Sequence, residues 1–274
     1  MRRLNELHDA AFVSGASKGL GRAFARMLLA EGVRVWGTSR DPGRLAELAS
    51  AHPGAFFPVA LDLADRAGAI RAFEGASAAA GKGFDLVINN AGYGVFGGFA
   101  DLESSVWRSQ IEDMVGTVLE LSHAAFRSML SRRRGCLVHI SSIAAELPLP
   151  YMSGYNVAKA GLSALSESLM FETRGTGIRV IDFRPGDYKT EFNEAMPTDS
   201  SSEIALRARA ALEATFAGSP PSERAAMDLR RALLAKRSGI VRSGSLFQAR
   251  IAPLLSRILP DSVMRWGTAR YFGL

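Results

Sequence analysis

A single cysteine, Cys136, stands in the 274-residue chain, so no disulfide can form within it. Its apolar neighbours mark it as a core filler rather than a nucleophile, which suits a reducing, cytoplasmic setting. Long apolar runs are missing as well: Arg, Lys, Glu or Gly interrupts each one before it reaches the length of a spanning helix. The opening residues, Met1 to Asp9, have no apolar core of the length a secretory signal needs. Four histidines occur, His8, His52, His123 and His139, and no metal spacing emerges from them. No repeat, charge block or low-complexity linker divides the chain. The net charge of +6 is moderate and spread out, so nucleic acid is not an expected partner. With 47% apolar residues, a single α/β domain over residues 1–274 is expected.

What is present begins with a glycine loop. Residues Ala10 to Ser14 read as a buried strand, Gly15-Ala16-Ser17-Lys18-Gly19-Leu20-Gly21 as a tight turn, and the stretch to about Glu31 as an amphipathic helix closed by Gly32. That order is the setting of a dinucleotide site. Small residues admit a pyrophosphate to the backbone, and the helix N-terminus offers free N–H groups and partial positive charge. The bare alternative is a glycine turn without a ligand. A second strand, Val33 to Thr38, ends in Ser39-Arg40, with no acidic residue to accept from a ribose 2′-hydroxyl. Arg40 and Lys18 instead put positive charge where a 2′-phosphate would sit, which favours NADP(H) over NAD.

Phe56 to Ala60 is a third strand, and Asp62-Leu63 beyond it is either an adenine contact or a helix cap. A helix from Arg66 to about Ala80 leads to a fourth strand, Phe84 to Ile88, ending in Asn89-Asn90-Ala91-Gly92. Asparagines at a strand end tie backbone segments together and Ala-Gly leaves room for a ribose, although turns use the same residues. A helix over Trp107 to Phe126 precedes a strand, Cys136 to Ile140, that ends in two serines. Tyr155 and Lys159 follow, four apart on a helix running to about Glu172, so they share one face. A lysine ammonium there favours phenolate and lowers the tyrosine from about 10 toward the working pH. Ser142 can donate a hydrogen bond to the oxygen that the tyrosine protonates. An isolated pair of this kind is equally an ordinary surface helix.

Taken together, the glycine loop, Asp62-Leu63, Asn89-Asn90-Ala91-Gly92, Ser142 and Tyr155-x-x-x-Lys159 resemble the short-chain dehydrogenase/reductase family in order and spacing. The resemblance covers about residues 8–192. It implies a Rossmann-type, doubly wound parallel sheet with helices on both faces, binding NAD(P) at the carboxyl ends of the strands. Carried across, Tyr155 is the general acid/base, Lys159 lowers its pKa and holds the nicotinamide ribose, and Ser142 polarises the substrate oxygen. Gly15, Ser17, Lys18, Gly19, Leu20, Gly21 and Arg40 carry over to the cofactor, with Asp62, Leu63, Asn89, Ala91 and Gly92. After a sixth strand, Ile178 to Phe183, the family's contacts near nicotinamide and pyrophosphate match Pro185, Gly186 and Thr190, and Tyr188 borders the substrate. Dimers or tetramers through residues 104–131 and 153–173 are also implied. One position departs. The family places an asparagine in the helix after Gly92, where it holds a water in a proton relay to the lysine, and Trp107 to Phe126 contains none. Aligned on Gly116-Thr117, the position is Asp113; counted from Trp107, it is Met114.

Beyond Thr190 the pattern fades into a polar stretch, Asn193 to Ser202, that suits a lid. Helices over Glu203–Phe216 and Ser222–Lys236 and a short strand, Gly239 to Val241, complete residues expected to cover the substrate. The tail, Leu246 to Leu274, alternates apolar residues with Arg250, Arg257, Arg265 and Arg270. It reads as packed on its own domain with the arginines in water, in preference to a membrane-surface or partner helix. Arg132 to Arg134 read as a solvated loop. The sum is an NADP(H)-dependent carbonyl reductase or alcohol dehydrogenase acting on a small carbonyl or alcohol. Its competitor is an NADP(H)-binding sensor with little turnover, favoured by the missing asparagine and opposed by the intact Ser-Tyr-Lys set. A nucleotide-sugar epimerase or dehydratase would want a longer chain and a different glycine spacing.

Overall fold

The computed structural model describes residues 3–192, 198–199 and 202–274. The lid anticipated over Asn193 to Ser202 therefore lies mostly outside the described residues, which include 198, 199 and 202 of it. The chain runs β1 (Ala10–Val13), α1 (Gly19–Ala30), β2 (Arg34–Ser39), α2 (Ala46–Ala51), β3 (Phe56–Ala60), α3 (Arg66–Ala79) and β4 (Leu86–Asn89). A two-residue β5 (Phe96–Gly97), α4 (Ser104–Ile111), α5 (Val118–Arg132), β6 (Gly135–Ile140), α6 (Ser153–Glu172) and β7 (Ile178–Pro185) follow. Then come β8 (Thr198–Asp199), α7 (Glu203–Ala217), α8 (Ser222–Leu234), β9 (Gly239–Ser243), α9 (Ala252–Ile258) and α10 (Asp261–Tyr271).

Seven strands form one parallel sheet in the order β3-β2-β1-β4-β6-β7-β9. Every residue of β1, β4 and β6 is buried, as covering helices on both faces require, and this is why those stretches read as unbroken apolar runs. Alternate strand residues feed two cores. Ala11, Val13, Val35, Ile88, Val138 and Phe183 pack with α1 and α8, while Phe12, Trp36, Val87, Leu137 and Val180 pack with α3, α5 and α6. The chain winds outward from β1 to β3 and then returns to β4 on the other side of β1. The winding direction reverses there, which opens a crevice beyond the carboxyl ends of β1 and β4.

Three details depart from the sequence reading. A small parallel pairing, β5 with β8, was not anticipated, because two residues carry no readable alternation. The single helix expected over Trp107–Phe126 is interrupted by a π-helical segment, Glu112–Thr117, that links α4 to α5. Arg132 and Arg134 do not form a free solvated loop: both pair with the largely buried Asp85, at 3.1 and 3.4 Å, and Arg132 also donates to the Phe84 carbonyl.

Candidate active site

The crevice is built from strand ends. Gly15 has φ +69° and Gly19 φ +52°, left-handed conformations that suit glycine. Space is the second constraint. A Cβ at Gly21 would stand 2.1 Å from the Gly15 carbonyl oxygen, and one at Gly15 would stand 3.0 Å from Ala91 Cα. The loop is tied to β2 by N–H groups of Gly15 and Ala16, which donate to Thr38 Oγ1 and to the Thr38 carbonyl. Across the crevice, Ser14 Oγ accepts from the N–H groups of Asn90 and Ala91, and Asn90 Nδ2 donates to the Ser14 carbonyl at 2.9 Å. Asn90 thus does the stitching expected of the asparagine pair. Asn89 is buried, its Nδ2 donating to Ser122 at 3.0 Å and its Oδ1 unpartnered among the described residues.

Among the described residues no side chain caps the N-terminus of α1, and the cradle in front of it is one that side chains would fill. These features fit the diphosphate of a dinucleotide. Thr190 comes against this loop, 3.2 Å from where a Cβ of Gly19 would be, and Ser17 and Leu20 flank it half-buried. Lys18 and Arg40 are both exposed, and among the described residues neither makes an ion pair. Asp62 accepts from the Ala64 N–H, closing a turn, and the Leu63 carbonyl accepts from Thr117 Oγ1 at 2.8 Å. The helix cap at this point is Asp65, not Asp62.

The second wall comes from β6 and α6. Ser142, just past β6, accepts from the Ala144 N–H at 3.0 Å and lies 3.5 Å from the Pro185 carbonyl oxygen. Tyr155 and Lys159 sit one turn apart on the buried face of α6. Lys159 Nζ is 5.5 Å from the centre of the Tyr155 ring and donates to the Ile140 carbonyl at 2.7 Å. Gly92 joins the two walls, since a Cβ there would lie 3.8 Å from Lys159 Nζ. Gly186 is held by its N–H on the Ser243 carbonyl and leaves room for Gln248, whose Oε1 would be 2.5 Å from an added Cβ. Tyr155 belongs to an apolar cluster with Phe96, Ala144, Met152, Leu212 and Phe272, and Phe192 lies against its ring.

Electrostatics differ from the expectation. Burial pushes the Tyr155 phenol up to about 12, with the nearby Ser142 hydroxyl pulling it part of the way back and Asp187 adding to the rise. Burial pulls Lys159 down to about 8 against the opposing charge of Asp182. The anticipated acidified phenol is therefore corrected for the bare chain: desolvation of the ring outweighs an ammonium that is turned toward a backbone carbonyl.

The two candidates for the missing asparagine separate in space. Asp113 accepts from Tyr93 Oη at 2.9 Å, and its carboxyl is raised chiefly by burial, with Asp62 and Glu112 adding to the rise. Met114 is buried, and its methyl would lie 3.0 Å from a Cβ at Gly92, on the side of Lys159. Tyr188 does not border the crevice: it lies in the core against α1 and α8 and is bonded to Ser243.

A buried ionic network went unread in the sequence. Asp182, fully buried in β7, accepts from Ser163 at 2.6 Å and from Arg184 Nε at 2.7 Å, and Ser141 also donates to it. Arg184 extends to Glu146 and to Glu167, and Arg242 reaches Glu146 at 2.8 Å. The network fixes the loop after Ser142 to β7, β9 and α6. Asp182 and Arg184, two of the three charges inside the run Ile178–Pro185, were the available signal.

Comparison with known proteins places the chain. A sequence model described as short chain dehydrogenase matches residues 9–201. The 3-oxoacyl-(acyl-carrier-protein) reductase FabG of Salmonella typhimurium is 30% identical over 194 residues, which are 71% of this chain and 79% of that protein. A short-chain dehydrogenase from Streptomyces avermitilis superposes with a TM-score of 0.83 at 27% identity, covering 96% of this chain and 95% of the other. One from Burkholderia phymatum, solved in complex with NAD, gives 0.82 at 22% identity and 97% coverage of both chains, a likeness of fold.

Proposed function

The chain belongs to the short-chain dehydrogenase family of NAD(P)-dependent oxidoreductases, and from that premise we propose that it is an NADP(H)-dependent carbonyl reductase or alcohol dehydrogenase. The observation that carries this reading is the convergence of Ser142, Tyr155 and Lys159 beside the glycine-lined crevice. Bound there, the nicotinamide supplies or accepts the hydride. In reduction, Ser142 donates a hydrogen bond to the carbonyl oxygen as negative charge develops on it, and Tyr155 hands that oxygen its proton. With its phenol near 12, Tyr155 is protonated at neutral pH and stands ready as the acid. Lys159, held by the Ile140 carbonyl, keeps a donor and a titratable charge behind the phenol. Gly15, Ser17, Gly19, Leu20, Gly21, Ala91, Gly92 and Thr190 line the cofactor's path, with Pro185 and Gly186 at its nicotinamide end. The NADP preference rests on Lys18 and Arg40, which carry charge into solvent at the ends of the loop and of β2. The apolar lining around Tyr155 supports a substrate with an uncharged, apolar body next to its carbonyl.

The test is consumption of NADPH and NADH by the purified chain with a panel of ketones and aldehydes. Reduction of apolar carbonyls, faster with NADPH, is the expected result. Tight NADPH binding without reduction of any carbonyl would favour the sensor reading instead.

A further inference from the structure

Ten of the eighteen exposed large apolar side chains among the described residues fall between Leu246 and Leu274. They do not belong to a loose tail. Gln248 is bonded to Asp187 at the arm's root, Phe272 is buried in the cluster over Tyr155, and Tyr271 Oη meets Thr215 Oγ1 at 3.1 Å. Between these anchors, α9 buries Ala252 and Pro253 and turns Leu254, Leu255 and Ile258 outward, in line with the exposed Ile251 at the end of the helical turn just before it. The spacing i, i+3, i+4, i+7 makes them one stripe. Ile258 and Trp266 are 69% and 68% exposed, so the expectation that the tail packs on its own domain holds for Ala252, Pro253 and Phe272 and not for this stripe or Trp266.

Charge identifies the partner. Arg250, Arg257, Arg265 and Arg270 are all exposed on the arm, against one acid, Asp261, 4.0 Å from Arg265. A second copy docking about a two-fold axis would set this positive surface against itself. Anionic headgroups complement it, while indole and phenol rings beside arginines suit the boundary between headgroups and acyl chains. We propose that the arm docks on an anionic bilayer surface, with the α9 stripe and Trp266 entering the headgroup boundary and the arginines meeting lipid phosphates. Among the described residues no helix is long and apolar enough to cross a membrane, so the contact is peripheral. This inference does not rest on the reductase reading.

Trp36 and Trp107, the other two tryptophans, are buried, so Trp266 reports on the arm without any substitution. The full chain is mixed with vesicles of phosphatidylcholine alone or with about one-third phosphatidylglycerol, and flotation and tryptophan emission are recorded. Expected is at least tenfold stronger binding to the anionic vesicles, with a blue shift, weakened severalfold at about 0.5 M salt. Arg250→Glu with Arg257→Glu, or Ile258→Asp alone, should cut binding about tenfold with circular dichroism unchanged. No blue shift and no flotation of the wild type on anionic vesicles would overturn the proposal. So would binding indifferent to both sets of variants, or an Ile258-dependent dimer in solution without vesicle binding.

Discussion

The sheet with its crevice and the C-terminal arm follow opposite rules. From β1 to β7, most polar groups that leave water find partners inside the chain, as Ser14 does with Asn90, His139 with Ser122 and Ser166, and Asp182 with Arg184; Asn89 Oδ1 and Gln110 Oε1 are exceptions. In the arm, apolar groups stay in water and charges stay mostly unpaired. A self-satisfied region has its stability and geometry written in its own contacts. The proposed bilayer contact would account for the arm's pattern.

Substitutions can break this contrast in graded steps. Asp182→Ala should be the most damaging to the fold, costing about 3–5 kcal/mol, because it removes the buried carboxylate that accepts from Arg184 Nε, Ser163 and Ser141 at once. Chemical denaturation measures this, and a loss no larger than that of a surface variant would contradict the network's role. Second is the pH response. Lys159 titrates at about 8, below its free value of 10.5, so its charge is present below pH 8 and is lost above. Reduction should hold level to about pH 7 and then fall up to tenfold per unit through 8. A rate profile flat to pH 10 would exclude a role for that charge. The same shift makes the lysine's burial least costly to folding above pH 10.5 and most costly below 8. Third, Arg40→Asp should weaken NADPH about tenfold or more while changing NADH far less, as read by fluorescence titration. Equal losses for both cofactors would remove Arg40 from the 2′-phosphate. The smallest effect is expected at Asp113→Asn, whose side chain faces Tyr93: turnover should stay within about threefold of wild type. Loss of activity in a folded Asn variant would return Asp113 to the relay.

Much of this was legible beforehand. All seven strands of the main sheet were, because parallel strands buried on both faces are short apolar runs ended by turn residues. The glycine loop and the Tyr155–Lys159 pair were legible because their chemistry constrains residue type at fixed spacing. The direction of the Tyr155 shift was not, since desolvation depends on walls such as Phe96 and Met152 that come from distant parts of the chain. Nor was the choice between Asp113 and Met114, which turns on a π-helical segment that rotates one residue relative to the next. The Asp182–Arg184 network was not legible either, because Glu146, Ser163 and Arg242 meet it only in three dimensions. The arm looked like any amphipathic helix, and only its exposure separates a core face from a docking face.

The central claim is that the Tyr155 phenol delivers the proton to a carbonyl oxygen in this crevice. Its most direct test compares NADPH-dependent carbonyl reduction by the wild type and by Tyr155→Phe, with NADPH affinity measured on both. The account predicts a loss of about 10²–10⁴-fold in turnover with cofactor affinity within a few-fold of wild type. A phenylalanine variant that binds NADPH and reduces carbonyls at the wild-type rate would contradict it.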